Sequence, residues 1–400
     1  MREKALVIAL SGKIDSTNAP ELEARAFDML ASAQDGDLVF DARDLQYISS
    51  AGLRVLMKAR KAVGHAPEIR NVSPEVYEIL EMTGFTELMN VKKRLREVSV
   101  DGCPIIGRGY YGTVYRLDAD TIVKVYASPD SIPLIENERK MARLAFIKGI
   151  PTAISYDIVK VGDSYGSVFE LIKAETLNDA LIARPERAEE IIGTFVDVLK
   201  SVHAAVLEPG VVPSAKETWL KYLEQDRSHG LIDARQYARL RPLLLAIPES
   251  DHAVHGDYHM KNVMLADGEP MLIDMDTLAA GDPIFDLQGV YVTYKAYTED
   301  DPGNSMAFLG IDNAMCNRIW RETLAKYFAT DDPEALARQG DKIRLVAAIR
   351  FLFLLDDEEG TRDALTEKRI RHAQRHIDEL LERVDSLCLE YQGRQFSEEP

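Results

Sequence analysis

The sequence predicts two folded units of different class: a small α/β domain, then a longer α+β body in which a β-rich lobe precedes a helical one. Three observations predict this. Short apolar runs alternate with helical patterns up to about residue 92; a basic stretch, Val91-Lys92-Lys93-Arg94-Leu95-Arg96, followed by Asp101-Gly102, breaks the texture; and from residue 102 a strand, glycine turn, strand pattern gives way to helices. At 400 residues and 46 % hydrophobic content, the chain is long enough for separate cores.

The elements of the first unit, residues 1–92, follow from its punctuation. Residues 6–10 read as a strand, Pro20 opens a helix with Asn18 as a candidate cap, and residues 37–40 form a second strand. A helix starts at Ser50, residues 69–72 form a third strand, and a helix after Pro74 takes Ser73 as its cap. Residues 93–101 are expected to be a linker. Beyond it, residues 105–126 read as two β-rich runs around glycines, 136–147 as a helix, and 168–172 as the strand closing a lobe of about residues 102–172. Residues 173–400 are largely helical, interrupted by strand-like residues 263–265 and 271–273. A helix over 369–391 is expected to pack on its own lobe through Ile370, Ala373, Ile377, Leu380, Val384, Leu387 and Tyr391.

Charge and cysteine usage exclude several classes. Net charge is -18, and nearly all of it lies beyond residue 100. An acidic body repels polyanions, so neither nucleic acid nor an anionic membrane is an expected partner, whereas a cationic small molecule is attracted. No apolar run reaches membrane-spanning length, and the run from Ala5 to Leu10 is too short for a signal peptide. Cys103, Cys316 and Cys388 form neither a disulfide framework nor a close metal pair, so a cytoplasmic location with reduced thiols is expected.

The chemistry lies in ordered clusters. Gly107-Arg108-Gly109-Tyr110-Tyr111-Gly112-Thr113-Val114 fits G-x-G-x-x-G-x-V. A dinucleotide site needs a helix directly after such glycines; here a β-branched strand follows, which favours a hairpin whose N–H groups lie over phosphates. Lys124 follows inside Ile122-Val123-Lys124-Val125, placed to reach phosphates, with Glu138 on the next helix as its partner. His255-Gly256-Asp257-Tyr258-His259-Met260-Lys261-Asn262 and Ile273-Asp274-Met275-Asp276 then supply what phosphoryl transfer needs: a carboxylate for the acceptor hydroxyl and oxygen ligands for Mg²⁺. His255 and His259 lack a third ligand at zinc spacing.

On these motifs residues 102–400 resemble the aminoglycoside phosphotransferase and choline kinase branch of the protein-kinase-like fold. The resemblance implies a bilobal kinase-like domain using ATP and Mg²⁺. It implies Asp257 as catalytic base, Asn262 and Asp274 as magnesium ligands, and Lys124 paired with Glu138. It further implies that Gly107, Gly109, Gly112 and Val114 cover the nucleotide, and that backbone near Glu170 and Ile172 binds adenine. Asp282-Pro283 and Asp286 fit a structural role in that branch, and His203 reads as core. No Ala-Pro-Glu element follows Asp274, which favours a small-molecule acceptor over a protein.

Residues 1–92 resemble a STAS domain of the anti-sigma factor antagonist type, through Gly12-Lys13-Ile14-Asp15-Ser16, Leu38-Val39-Phe40-Asp41, Tyr47-Ile48-Ser49-Ser50-Ala51-Gly52-Leu53 and Thr83-Gly84-Phe85. The resemblance implies an anti-sigma factor-like protein partner and Ser50 as the phosphorylated residue. Ser50 also reads as a plain N-cap. Three functions stay open at this point: a small-molecule kinase, a serine protein kinase acting on Ser50, and a partner-switching module that only binds nucleotide.

Overall fold

The computed structural model describes residues 6–32, 38–109, 112–172, 174–266, 268–356 and 362–390. They divide into two compact units, Met1–Asp101 with Ile158–Gly166, and Gly102–Asp157 with Ser167–Pro400.

The first unit is a parallel sheet whose strands lie in sequence order: Leu6–Ile14, Leu38–Ile48, Glu68–Val72 and Asn90–Lys93. Parallel neighbours need crossovers, and helices Ala19–Ser32, Ser50–Val63 and Pro74–Met82 supply them. The inward residues Ile8, Leu10, Phe40, Ile69, Leu56 and Leu80 form one apolar core. Both leading strands run well past their expected ends, because polar residues such as Asp41, Asp44 and Lys13 sit between buried ones and still pair along the ladder. Asn18 does not cap its helix by its side chain; it turns back to accept from Asp15 N (2.9 Å) and donate to Lys13 O (2.7 Å). Ser73 caps as expected, accepting from Val76 N. Ser49, not Ser50, is the N-cap of Ser50–Val63, since its Oγ accepts from Ala51 N at 3.2 Å. Helix and sheet approach closely just there: a Cβ on Gly52 would lie 2.6 Å from Ile14 Cγ2 and 2.7 Å from Ile48 Cγ1. Within the expected linker, Arg96–Glu97 is a short strand paired in parallel with Val159–Lys160.

The second unit begins with an antiparallel meander, Ile105–Arg108, Gly112–Arg116 and Thr121–Tyr126, with the strand residues 167–170 adjacent to Thr121–Tyr126. Helix Ile132–Ile147 follows the meander. The remainder is helical around one large core that includes Phe195, Tyr258, Phe285, Tyr294 and Leu352. Into it are set the hairpin Val263–Ala266/Glu269–Leu272 and the two-residue strands Ala253–Val254 and Ala279–Ala280. The last helix among the described residues spans Ala364–Leu381 and buries Ile370, Ala373, Ile377 and Leu380 as the pattern expects. It stops ten residues short of the expected end. Val384 and Leu387 are buried from an irregular segment instead, held by Lys342 Nζ to Cys388 O (2.7 Å) and by Gln339 to the backbone of Glu390; Tyr391 lies outside the described residues. No helix among the described residues is long and apolar enough to cross a membrane.

Candidate active site

The glycine hairpin is anchored by strand pairing. Gly107, Val114 and Lys124 stand in one cross-strand row, so Val114 and the Lys124 stem share a face. The turn closes with Gly109 N to Gly112 O at 2.9 Å, and Tyr110 and Tyr111 fall outside the described residues. The three glycines differ in what they permit. A Cβ on Gly112 would stand 2.1 Å from Val125 O, whereas one on Gly107 would meet Val114 at an ordinary 3.7 Å.

Lys124 is the hub. Its Nζ lies 3.1 Å and 3.2 Å from the two oxygens of Glu138 and 2.6 Å from Asp274 Oδ1. Burial opposes its charge, but Glu138 and then Asp274 outweigh that and hold the ammonium above its usual range. Tyr126, two residues on along the same strand face, donates its hydroxyl to Glu138 Oε2, which fixes the carboxylate from a second side. Asp274 holds left-handed backbone (φ 59, ψ 58), a conformation of order 1 kcal/mol that Asp tolerates better than most residues.

Asp257 sits in a turn braced from below. Asp286, buried to 1 % exposure, accepts from His255 N (2.8 Å) and Gly256 N (2.6 Å), and its Oδ2 also meets His203 Nε2 at 3.0 Å. His203 Nδ1 reaches Tyr327 Oη at 2.7 Å, so the buried histidine is core, yet it continues a polar chain to the turn. Thr277 Oγ1 donates to His255 O, Met260 N to Tyr294 Oη, and Tyr258 stacks on Phe195 at 4.6 Å. Asn262 Nδ2 donates to Asp257 O (2.9 Å) and Oδ2 (3.4 Å), which leaves its Oδ1 for a cation. Burial would raise Asp257, but His259, 3.6 Å from Oδ2, followed by His255 and Arg350, holds the carboxyl well below its ordinary range. Asp276 moves the other way, to about 6, through burial and the neighbouring Asp274 and Glu138 carboxylates.

Lys124, Glu138 and Asp274 are thus brought together by direct bonds, and Asp257 with Asn262. Glu170 ends its strand exposed and Ile172 follows half-buried, where Leu171 N donates to Asp120 O at 2.7 Å. Tyr126, Thr277 and Asp276 had no role from sequence reasoning. The Lys-x-Tyr and Asp-x-Asp alternations were their only signals.

A β-rich lobe carrying a glycine hairpin and a paired lysine, joined to a helical lobe with a braced Asp/Asn turn, defines a kinase-like phosphotransferase. The chain belongs to the phosphotransferase enzyme family that includes the aminoglycoside phosphotransferases, matched over residues 103–309. Its residues 1–98 match the STAS domain. BtrV, a candidate anti-sigma factor antagonist of Bordetella bronchiseptica, is 34 % identical over 91 residues, 22 % of this chain and 76 % of that protein. An anti-sigma F factor antagonist of Paenibacillus polymyxa is 25 % identical over 89 residues, with the same two shares, 22 % and 76 %. Among solved structures, a choline/ethanolamine kinase family protein of Mesorhizobium loti aligns with 70 % of this chain and 92 % of its own, at TM-score 0.45 and 17 % identity. The ADP-bound aminoglycoside phosphotransferase APH(2'')-Ib aligns with 77 % and 99 %, at TM-score 0.47 and 14 % identity.

Proposed function

We propose that residues 102–400 transfer the γ-phosphoryl group of ATP, with Mg²⁺, to a hydroxyl of a small molecule in the cytoplasm, and that residues 1–92 form a regulatory unit for an anti-sigma factor-like partner. The observation that carries this reading is one ammonium, Lys124 Nζ, bonded to both Glu138 and Asp274 in a unit where Asn262 is tied to Asp257. The acidic charge of the second unit favours a cationic acceptor.

In this reading Lys124, held by Glu138, meets the nucleotide phosphates under the hairpin of Gly107, Gly109, Gly112 and Val114, and the backbone near Glu170 and Ile172 takes the adenine. Asp274 and the free Oδ1 of Asn262 are an oxygen set suited to Mg²⁺, which when bound offsets phosphate charge during transfer. Asp257 stays ionised, so it orients the acceptor hydroxyl and takes its proton only late, as the new bond forms. The test is labelled ATP with Mg²⁺ and candidate aminated alcohols. Asp257→Asn should keep nucleotide affinity within a few-fold and lose turnover, and Asp274→Ala should lose magnesium-dependent binding. Unchanged magnesium dependence in a folded Asp274→Ala protein overturns the assignment.

One observation favours a second, compatible reading. Ser50 is exposed at the first position of its helix, while the Ser49 hydroxyl is already engaged as the cap. A phosphate on Ser50 meets the positive end of the helix dipole, so it would be tolerated by the fold while changing the charge shown to a partner. Intact mass after incubation with Mg-ATP decides whether this chain is the donor; phosphate that persists in Ser50→Ala moves the site elsewhere.

A further inference from the structure

Helix Ala364–Leu381 carries His372 and His376 one turn apart, with ring centroids 4.2 Å from each other. Opposite them, the chain leaves a π-helical turn, Val292–Ala296, and runs into Tyr297–Asp300, which brings Glu299 and Asp300 to the two rings. Such one-residue insertions in a helix recur at functional sites. One nitrogen of each histidine and one oxygen of Glu299 lie within 4.8 Å of one another.

The pairings around these groups are divided as a metal site divides them. Glu299 Oε1 accepts from the Tyr291 hydroxyl at 2.5 Å, and Oε2 lies 3.6 Å from His376 Nδ1. At 3.6 Å that pair is too long for a hydrogen bond, yet it is close to the roughly 3.4 Å that separates two ligands on a tetrahedral ion with bonds of about 2.0–2.1 Å. His372 Nδ1 meets Asp300 Oδ2 at 2.7 Å. A carboxylate there fixes the ring and keeps its other nitrogen as a lone-pair donor, the arrangement that supports metal-bound imidazoles. The His372, His376 and Glu299 side chains are 22 %, 20 % and 22 % exposed, so an ion has an entry path. Of the nearby cations, Arg344 pairs with Asp341 at 3.2 Å and donates to the Tyr291 hydroxyl at 3.3 Å, Arg369 pairs with Asp301 at 3.9 Å, and Lys368 lies 3.4 Å from Asp300 Oδ1, which leaves Asp300 Oδ2 to His372.

We propose that Glu299, His372 and His376 bind one Zn²⁺, with water as the fourth ligand, and that the ion staples helix Ala364–Leu381 to the turn at residues 297–300. Two imidazoles and one carboxylate match zinc better than magnesium or calcium, which take oxygen ligands. The site shares no residue with the Lys124 and Asp257 clusters, so its test is independent of the proposed transfer reaction.

Untagged protein, stripped with a chelator and kept in excess Mg²⁺ to occupy oxygen sites, is titrated calorimetrically with Zn²⁺. One equivalent is expected, with a rise in melting temperature. His372→Ala and His376→Ala should each weaken binding at least a hundredfold, and Asp300→Asn about tenfold. No zinc uptake by the wild type, or unchanged affinity in a folded His372→Ala/His376→Ala protein, overturns the proposal. If those variants fail to fold, X-ray absorption of the zinc-loaded wild type decides: nitrogen and oxygen neighbours with an imidazole signature are expected, and sulfur neighbours from Cys103, Cys316 or Cys388 refute the site.

Discussion

Asp286→Asn isolates what holds the catalytic turn. The Asp286 carboxylate serves three donors with two oxygens: His255 N and His203 Nε2 on Oδ2, and Gly256 N on Oδ1. An amide of the same shape keeps one oxygen and turns an NH₂ toward the other side, so at least one buried N–H faces another donor. An unsatisfied buried donor costs about 1–3 kcal/mol, and each surviving bond loses about 1 kcal/mol as it ceases to be charge-assisted. The expected loss is about 3 kcal/mol, confined to the second unit. Trp219 and Trp320 are the only tryptophans, and both lie in that unit; Trp219 packs 4.9 Å from Phe285, beside the mutated position. Tryptophan fluorescence during urea unfolding therefore reads this unit alone. Turnover should fall at least tenfold with little change in nucleotide affinity, because the turn that carries Asp257 shifts while Lys124 keeps its partners. A loss under about 1 kcal/mol together with wild-type turnover would refute the bracing role.

Three further outcomes follow from the geometry. Gly112→Ala should destabilise the β-rich lobe by about 2 kcal/mol or more in calorimetry, since its Cβ would stand 2.1 Å from Val125 O, while Gly107→Ala, whose Cβ would meet Val114 at an ordinary 3.7 Å contact, should melt like the wild type. Ser49→Ala should cost about 1 kcal/mol in urea unfolding followed by circular dichroism, and Ser50→Ala close to nothing, because only Ser49 caps the helix. Asp226 is fully buried with neither carboxylate oxygen bonded, and burial followed by Asp356 pushes it to about 8. The folded state thus holds a proton that the unfolded state releases near pH 4, so this group lowers stability as pH rises from about 4 to 8. Asp226→Asn should raise stability at pH 8 by up to about 5 kcal/mol, four pH units at about 1.4 kcal/mol each, and flatten that slope; an unchanged slope would show that the carboxyl is ionised in the fold.

Local chemistry settled much of this protein in advance. Prolines near the first helical turn, Ser73 ahead of Pro74, β-branched runs and the ordered Gly, Lys, Asp, Asn, Asp motifs depend on neighbours a few residues away, so they could be read from the chain. Which serine caps the helix after Ile48 was not legible, because both side chains are chemically suited and only backbone direction separates them; Ser49 has φ -87 and ψ 172. The length of the last helix was not legible either: its apolar spacing continues beyond Leu381, but Lys342 and Gln339, some fifty residues earlier, capture the backbone of residues 388–390 and bury Leu387 without helix. The same holds for the bracing of the turn. His203, Asp286 and Tyr327 are far apart in sequence, and each alone reads as core or cap. Only the fold gathers them into one chain ending at the amides of His255 and Gly256, because satisfying buried polar groups is a condition on the packed interior and leaves no local periodicity to read.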